Sequence, residues 1–227
     1  MLGNIFILGD SYSTFMGHIP EGFASYYFEN GPHYLVAHPD EAKPSERDVH
    51  KVEETWWYTL AKENGRLIHN CSWSGTTICN TGYGGCDNSK VSFIARLEKL
   101  LDEGFFEENK IDTLLLFGGT NDSWSNAPLG EAKYSDWTKD DLYCVLPAFN
   151  YLINLLKTRL PEVKVYCILN TWLKPEIDEH YTAVCEKCGV DLIKLHGIDK
   201  ICGHPTTLGM ASIKDQILGY ISNKAKA

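Results

Sequence analysis

The strongest constraint on the fold is a short strand-like segment with no polar residue at its centre. Residues 113–117 read Thr-Leu-Leu-Leu-Phe, and two glycines follow them. Side chains alternate between the two faces of a strand, so a strand that is apolar throughout must be covered on both faces. Such burial is typical of a parallel sheet between two layers of helices. The segment therefore favours an α/β fold.

Five segments, including this one, have a strand-like pattern and alternate with amphipathic helical patterns. The predicted strands are Asn4–Gly9, Arg66–Cys71, Asp112–Gly118, Val163–Asn170 and Val190–Leu195. Because parallel strands need crossover connections, the alternation predicts right-handed βαβ units, with helices on both faces of a five-stranded parallel sheet. The sequence has no internal repeat, low-complexity tract or linker. We therefore expect residues 1–227 to form a single domain.

Helical periodicity predicts five helices around this sheet. Ser89 is the candidate N-cap of the second helix, which should end at Gly104, and Thr138 is the candidate N-cap of the third. Pro147 should kink or divide the third helix, whereas Pro175 suits the first turn of the fourth. The apolar faces consist of Val49, Val52, Trp56 and Leu60; Val91, Ile94, Leu97 and Leu101; Leu142, Val145, Leu146, Phe149, Leu152, Ile153 and Leu156; Ile177, Tyr181, Val184 and Cys188; and Ile213, Ile217 and Ile221.

Charge and hydropathy argue against two classes of partner. The 227 residues carry a formal net charge of −9, whereas a nucleic-acid surface needs clustered Lys and Arg. No apolar run approaches the roughly 20 residues of a membrane helix. We therefore expect neither a nucleic-acid nor a membrane partner. The N-terminus lacks a signal-peptide pattern, so we expect a cytoplasmic protein, or a secreted or periplasmic one from which a signal peptide has been removed.

Eight cysteines raise the question of disulfides or metal binding. A chain of this length can build a core without covalent cross-links, so reduced thiols are the favoured interpretation. The lone pair Cys185-x-x-Cys188 shares a helical face with Tyr181 and Val184, which indicates core packing. A zinc site would need a second pair at similar spacing. We therefore predict no metal ion.

Four residues that could support acyl transfer lie where this fold brings chain segments together. Ser11, Gly75 and Asn121 follow the first, second and third predicted strands, and His204 precedes the last helix. Each alone also fits an ordinary turn. Together they supply a serine nucleophile and a histidine base. The N–H groups of Ser11 and Gly75 and the side-chain amide of Asn121 could then stabilise an oxyanion.

These four sequence blocks resemble the SGNH, or GDSL-type, hydrolase family of esterases and lipases. The blocks are Gly9-Asp-Ser11, Ser74-Gly75-Thr, Gly118-Gly-Thr-Asn121-Asp and Gly203-His204-Pro, in the family's order, and the match extends from residue 7 to residue 209. The resemblance implies a flavodoxin-like three-layer sandwich with strand order 2-1-3-4-5. It also implies hydrolysis of a small ester through an acyl-enzyme intermediate, without a cofactor.

The sequence departs from the family pattern at one position. The family places an aspartate three residues before the histidine, and here Ile201 stands there. The nearest acid is Asp199, five residues before His204. Either Asp199 orients His204 through a rearranged loop, or a backbone carbonyl does so and the enzyme works as a Ser–His dyad. We slightly favour the dyad, because Gly203 is the only flexible joint available for a rearrangement.

Aromatic residues near the four positions suggest the substrate. Trp73 and Trp124 lie close to Gly75 and Asn121, and the long segments 12–47 and 123–137 are rich in aromatic residues. Aromatic rings in a polar cleft suit an acylated, for example acetylated, carbohydrate. Two alternatives stay open: a degenerate hydrolase fold that only binds sugars, and a flavodoxin-like flavin carrier. The second leaves Asn121 and His204 without a role, and its first loop lacks a glycine for the phosphate.

Overall fold

A computed structural model describes residues 1–38 and 43–226, and its centre is a parallel sheet. Within these residues the sheet has five strands in the order β2-β1-β3-β4-β5. Each neighbouring pair is parallel. The strands are β1 (Gly3–Gly9), β2 (Gly65–Ser72), β3 (Thr113–Phe117), β4 (Lys164–Leu169) and β5 (Asp191–Lys194). The strand order 2-1-3-4-5 and the flavodoxin-like architecture are those expected.

Eight α-helices and two short antiparallel strand pairs complete the described part of the chain. The helices are α1 (His33–Ala37), α2 (Trp56–Asn64), α3 (Phe93–Asp102), α4 (Phe105–Glu108), α5 (Thr120–Trp124), α6 (Val145–Arg159), α7 (Pro175–Cys188) and α8 (Thr207–Lys224). The strand pairs join Tyr27–Phe28 to Gly31–Pro32, and Lys200–Ile201 to His204–Pro205. The first pair and α1 lie in the predicted long segment 12–47, of which residues 39–42 lie outside the described residues.

The alternation of side chains along the strands divides the core into two layers. In β1, Phe6 and Leu8 point to one layer, and Ile5 and Ile7 point to the other. The apolar run of β3 is split in the same way. Helices α3, α6 and α7 cover the first layer, and α2 and α8 cover the second. The sheet is therefore buried on both faces, as its sequence predicts.

Two predicted helix starts are wrong because burial at helical spacing does not require a helix. Helix α2 begins only at Trp56, with Val52 in a preceding 3₁₀ turn and Val49 in a loop, although all three are buried. The N-cap of α3 is Ser92 rather than Ser89, since the Ser92 hydroxyl accepts the N–H of Ala95 at 3.1 Å.

The third predicted helix also starts later than expected. Helix α6 begins at Val145, whereas Thr138 hydrogen-bonds to Asp141 ahead of a separate 3₁₀ turn. Pro147 consequently lies in the first turn of α6, where a helix does not need the missing N–H. The predicted helix is therefore divided rather than kinked, and the division falls at Cys144, ahead of Pro147. Pro175 does lie in the first turn of α7.

All eight cysteines are free thiols. Cys185 is fully buried in the first core layer, where Cys188 also packs. In the described part of the chain, no cluster of His, Cys, Asp and Glu side chains is arranged to hold a metal ion. Nor does any helix there combine the length and apolar character needed to cross a membrane.

Candidate active site

Ser11 lies at the carboxyl edge of the sheet, in a turn that other residues hold firmly. It begins the 3₁₀ turn Ser11–Ser13 directly after β1. The Asp10 carboxylate caps this turn by accepting the N–H of Tyr12 at 3.0 Å. The indole N–H of Trp56, on α2, donates to the Tyr12 carbonyl at 3.0 Å. The turn is thus fixed from both ends.

His204 contacts Ser11 directly, although 193 positions separate them in the chain. Its Nε2 lies 2.9 Å from Ser11 Oγ, and its Nδ1 lies 3.1 Å from the carbonyl oxygen of Cys202. A carbonyl can only accept, so Nδ1 must carry the proton of the neutral ring. Nε2 then has a free lone pair and accepts from the Ser11 hydroxyl. This tautomer suits a general base.

Aromatic side chains surround the His204 ring. Tyr26 stacks on it with a centroid distance of 3.5 Å and an interplanar angle of 8°. Trp124 approaches it edge-on at 6.1 Å, and Tyr12 lies at 5.3 Å. This burial lowers the pKa of His204 to about 4, and the charge of Lys200 adds to the effect. The ring is therefore neutral, and able to act as a base, at ordinary pH.

A tight hairpin presents His204 to the site. Ile201 pairs with His204 across the hairpin, and Cys202 and Gly203 form its turn. Both turn residues have positive φ, 49° and 78°, which matches the twist of a two-residue hairpin turn. Two hydroxyls hold this hairpin, that of Tyr12 on the Gly203 carbonyl and that of Tyr27 on the Pro205 carbonyl.

Asp199 is the one predicted site residue that the fold does not bring to this cluster. Its backbone pairs with Thr206, two residues beyond His204 along the hairpin ladder, which is a separation of about 7 Å at strand spacing. Its carboxylate is held by Arg47 at 2.9 Å and by the hydroxyl of Thr206. Asp199 thus anchors the start of α8, and the hairpin explains why it does not reach the His204 ring.

Three N–H groups at the carboxyl edge of the sheet are candidate donors for an oxyanion. Among the described residues, neither the Ser11 nor the Gly75 N–H has a hydrogen-bond acceptor. Gly75 has a φ of 78°, and a methyl group there would meet open space. Asn121 donates through Nδ2 to the Thr76 carbonyl at 2.9 Å, and its Oδ1 accepts from the Tyr83 hydroxyl at 2.9 Å. The second Nδ2 hydrogen stays available.

A buried polar cluster beneath these donors joins the three strand ends. Arg96 donates to the carbonyls of Cys71 and Gly9 and to the hydroxyl of Thr76. Asp122 accepts the N–H groups of Ile78 and Cys79 at 2.9 and 3.0 Å. The donors therefore rest on a preorganised scaffold.

The charges in this cluster perturb one another. Burial raises the pKa of Asp10 to about 7, and the nearby Asp122 adds to the rise, while the charge of Arg96 opposes it. Burial also raises the pKa of Asp122. Both acids accept hydrogen bonds from backbone N–H groups, so their contacts are structural.

Sequence reasoning missed several residues of the site. Tyr26 reaches it from a loop, Tyr83 from a 3₁₀ turn, and Lys200 from the first strand of the His204 hairpin. None of these short segments has a periodicity that marks a side chain as inward-pointing. Arg96 was missed because the apolar residues around it in α3 gave no sign that this charged side chain is buried. The aromatic richness of segment 12–47 was the one available signal, and it pointed to Tyr26 only as one of several rings.

Comparisons with known proteins identify relatives of this chain. The profile of the family described as GDSL-like Lipase/Acylhydrolase matches residues 3–221. A GDSL-like lipase from Bacteroides ovatus is 41% identical, with a TM-score of 0.85 over 98% of this chain and 99% of that one. One from Bacteroides uniformis is also 41% identical, with a TM-score of 0.84 over 97% and 96%.

A more distant structure shares only the fold. A family two carbohydrate esterase from Clostridium thermocellum, in complex with cellohexaose, is 16% identical with a TM-score of 0.61, covering 99% of this chain and 65% of that one. No curated protein matches the chain significantly. Because the family profile spans nearly the whole sequence and the two Bacteroides proteins are 41% identical to it, this chain belongs to the GDSL-like lipase/acylhydrolase family and is a carboxylic ester hydrolase.

Proposed function

We propose that this hydrolase cleaves acylated carbohydrates through a Ser11–His204 dyad, without an orienting carboxylate. The observation that carries the proposal is the chain of contacts from Ser11 Oγ to His204 Nε2, at 2.9 Å, and from His204 Nδ1 to the Cys202 carbonyl, at 3.1 Å. The carbonyl fixes the tautomer, which is one of the two tasks of the acid in a triad.

The reaction proceeds in two half-steps with one proton relay. As Ser11 Oγ bonds to the ester carbonyl carbon, its proton passes to His204 Nε2, and the carbonyl electrons move onto oxygen. That oxyanion accepts from the N–H groups of Ser11 and Gly75 and from the Asn121 amide. Its collapse breaks the ester C–O bond, and the leaving alkoxide takes the proton from Nε2. Water then repeats the sequence, which releases the acid and restores Ser11.

The second task of a triad acid is to stabilise the imidazolium, and Tyr26 supports that step here. Its ring lies parallel to His204 at 3.5 Å, where a positive charge on the imidazole faces the negative face of the aromatic ring. The Cys202 carbonyl dipole acts in the same direction, since its hydrogen bond favours the charged ring. These neutral groups replace part of the effect of a carboxylate.

Aromatic surfaces around the site support a carbohydrate as the alcohol part of the ester. Trp73, which follows β2, stacks on Phe23 at 4.1 Å, and Trp124 borders His204. Trp172 is exposed to 75% at the same edge of the sheet. Flat rings at a polar edge suit sugar rings better than long acyl chains. The Clostridium thermocellum enzyme, which has the same fold, is a carbohydrate esterase bound to cellohexaose.

A panel of 4-nitrophenyl acyl esters and acetylated sugars tests the proposal. We expect hydrolysis of short acyl esters and acetylated sugars, and a loss of about 10³-fold or more in kcat for Ser11→Ala. Ser13→Ala is the matched control, because the Ser13 hydroxyl lies in the same turn and has no hydrogen-bond partner among the described residues. That control should keep its activity.

The opposite results would overturn the proposal in distinguishable ways. Near wild-type turnover by Ser11→Ala would exclude Ser11 as the nucleophile. If the wild type hydrolyses nothing in the panel and a fluorophosphonate probe leaves Ser11 unlabelled, the protein binds sugars without cleaving them.

A further inference from the structure

Lys200 lies at the catalytic edge of the sheet, and the mechanism above does not use it. Its Nζ is 5.4 Å from the centre of the Tyr12 ring, which itself lies 5.3 Å from the His204 ring. Nζ also donates to Asn170 Oδ1 at 3.0 Å, and Asn170 in turn donates to Thr120 Oγ1 at 3.2 Å. The ammonium group therefore lies beside the nucleophile turn, and Asn170 and Thr120 link it to the candidate oxyanion residue Asn121.

This ammonium group has no ion-pair partner in contact with it among the described residues, and the charge of Asp10 acts on it only from a greater distance. Among the described residues, no carboxylate lies within 4.0 Å of Lys200 Nζ. Its two partners, Asn170 Oδ1 and Thr171 Oγ1 at 2.6 Å, are neutral oxygens. An ammonium has three donors, so one stays available. Partial burial lowers the pKa of Lys200 to about 8, which still leaves the group protonated at neutral pH. A half-buried cation without a counter-ion is a suitable place for an anion.

Trp172 provides a ring beside this cation. Its indole lies 4.5 Å from Lys200 Nζ, and the side chain is exposed to 75%. Its φ is 62°, a left-handed conformation that is rare for a bulky residue and costs about 1–3 kcal/mol. Such conformations cluster at ligand sites, where the surrounding structure maintains them. An exposed indole held in this way next to an ammonium offers both a flat surface and a charge.

We infer that Lys200 and Trp172 form a subsite for a carboxylate on the sugar, so that the substrate is the acyl ester of an acidic sugar. The inference rests on the proposed function. The sugar ring stacks on Trp172, and its carboxylate takes the free donor of Lys200. The protein carries a net charge of −9, so an anionic substrate needs such a local positive group to approach.

Two mono-acetylated sugars that differ only at C6, with a carboxylate in one and a hydroxymethyl group in the other, test the inference. Methyl glucuronoside and methyl glucoside carrying acetyl at the same carbon are compared as substrates, with 4-nitrophenyl acetate as the uncharged reference. We expect the wild type to prefer the glucuronoside through a lower KM. Lys200→Met should lower kcat/KM for the glucuronoside by roughly 10- to 100-fold, the effect of one hydrogen bond to a charged group.

Two further variants separate binding from structure. Because the charge of Lys200 also acts on His204, the effect of Lys200→Met is read as the ratio of kcat/KM between the two sugars, which a change common to both substrates leaves unaltered, and Lys200→Arg should retain most of the preference for the charged sugar. Lys99→Met removes the same charge from an exposed position on α3 and should leave the preference unchanged.

Several outcomes would overturn the inference. A wild type that does not distinguish the two sugars would exclude an acidic sugar, and an equal loss on all substrates in Lys200→Met would make Lys200 a structural residue. A Lys200-dependent preference for the 4-nitrophenyl half-ester of succinate over the acetate would place the carboxylate on the acyl side instead. Absence of Ser11-dependent hydrolysis of 4-nitrophenyl acetate would refute the proposed function itself.

Discussion

At the scale of single residues, the contact partners of His204 determine what the site can do. A carboxylate supplies both orientation and negative charge, whereas the Cys202 carbonyl supplies orientation and only a dipole. The ring is enclosed by Tyr26, Tyr12 and Trp124, and this burial outweighs the attraction between the face of the Tyr26 ring and a charged imidazole, so the pKa of His204 is lowered overall. At this scale we expect two consequences: a minor contribution of Asp199 to catalysis, and an unusual pH dependence of activity.

Replacing Asp199 tests the dyad directly. We expect Asp199→Asn to lower kcat only a few-fold, because the Asp199 carboxylate binds Arg47 and Thr206 rather than the imidazole. His204→Ala should lower kcat by about 10³-fold or more. Both values come from initial rates on 4-nitrophenyl acetate. A loss of about 10⁴-fold in Asp199→Asn, the size seen when a triad histidine holds the wrong tautomer, would show that Asp199 orients the ring after all.

The pH dependence of kcat/KM should show an acidic limb near pH 4. Only the neutral imidazole accepts the Ser11 proton, so activity is present above the pKa of His204 and falls as pH drops through it. That pKa is lowered to about 4, chiefly by burial. Tyr26→Leu exposes the ring and should move the limb toward the ordinary histidine value of 6.5. A wild-type limb already at that ordinary value would contradict the burial of the ring.

At the scale of elements, the site depends on two strand ends and a loop that a single side chain joins. Arg96, on α3, binds the carbonyls of Gly9 and Cys71, at the ends of β1 and β2, and Thr76 in the loop that carries Gly75. The Trp73 N–H adds a direct bond between this loop and the Gly9 carbonyl at 3.1 Å. The oxyanion donors therefore owe their positions to contacts made beneath them.

Arg96→Met should weaken both the fold and catalysis. Removing the guanidinium leaves the buried carbonyls of Cys71 and Gly9 short of donors, which should cost about 3 kcal/mol of unfolding free energy. Urea denaturation measures this loss, and kcat should fall more than KM rises. Arg159→Met, at an exposed position on α6, is the control and should stay within about 0.5 kcal/mol of the wild type. Equal stability of the two variants would contradict this role of Arg96.

Strands with an uninterrupted apolar run were predictable from the sequence. Helices inferred from apolar residues at helical spacing were less so. The predicted strand 112–118 differs from β3 by one residue at each end, because an uninterrupted apolar run allows few other structures. Val49 and Val52, by contrast, keep helical spacing in a loop and a 3₁₀ turn. Their side chains fill the same core layer as α2, so the spacing reports burial rather than helix.

The residues of the candidate site also differ in how far the sequence predicts them. That Ser11, Gly75 and Asn121 lie at one edge was predictable because the strands of a parallel sheet end there, and their roles remain predictions. Tyr26 was not predictable, since its stacking on His204 depends on the path of a long loop that has no regular pattern.

At the scale of the whole molecule, two core layers share one sheet. Each buried strand contributes alternate side chains to both layers, so neither layer can lose its packing without exposing the other face of the same strands. The nucleophile turn and the His204 hairpin both rest on this sheet and on α2 and α8. We propose that residues 1–227 unfold as one domain.

A single cooperative transition in urea should therefore report on every part of the chain. Far-UV circular dichroism follows the helices, tryptophan fluorescence follows mainly the layer with Trp56 and Trp57, and fluorophosphonate labelling follows the site. We expect the three curves to coincide. Ser11→Ala, which cannot be labelled, is the control for the third probe. Two separated transitions in dichroism and fluorescence would show that the layers unfold independently.

The carbonyl that orients His204 cannot be removed by replacing a side chain. It belongs to the main chain of Cys202, so no codon specifies it and no single substitution deletes it. Replacing Cys202 by alanine leaves this carbonyl in place. An alanine scan would therefore identify Ser11 and His204 but no third partner. Mutational loss of this partner would require insertion, deletion or distortion within the turn formed by Cys202 and Gly203. The orienting role therefore depends on the length and conformation of the turn rather than on a side chain. A point mutation that would inactivate an orienting aspartate has no counterpart here.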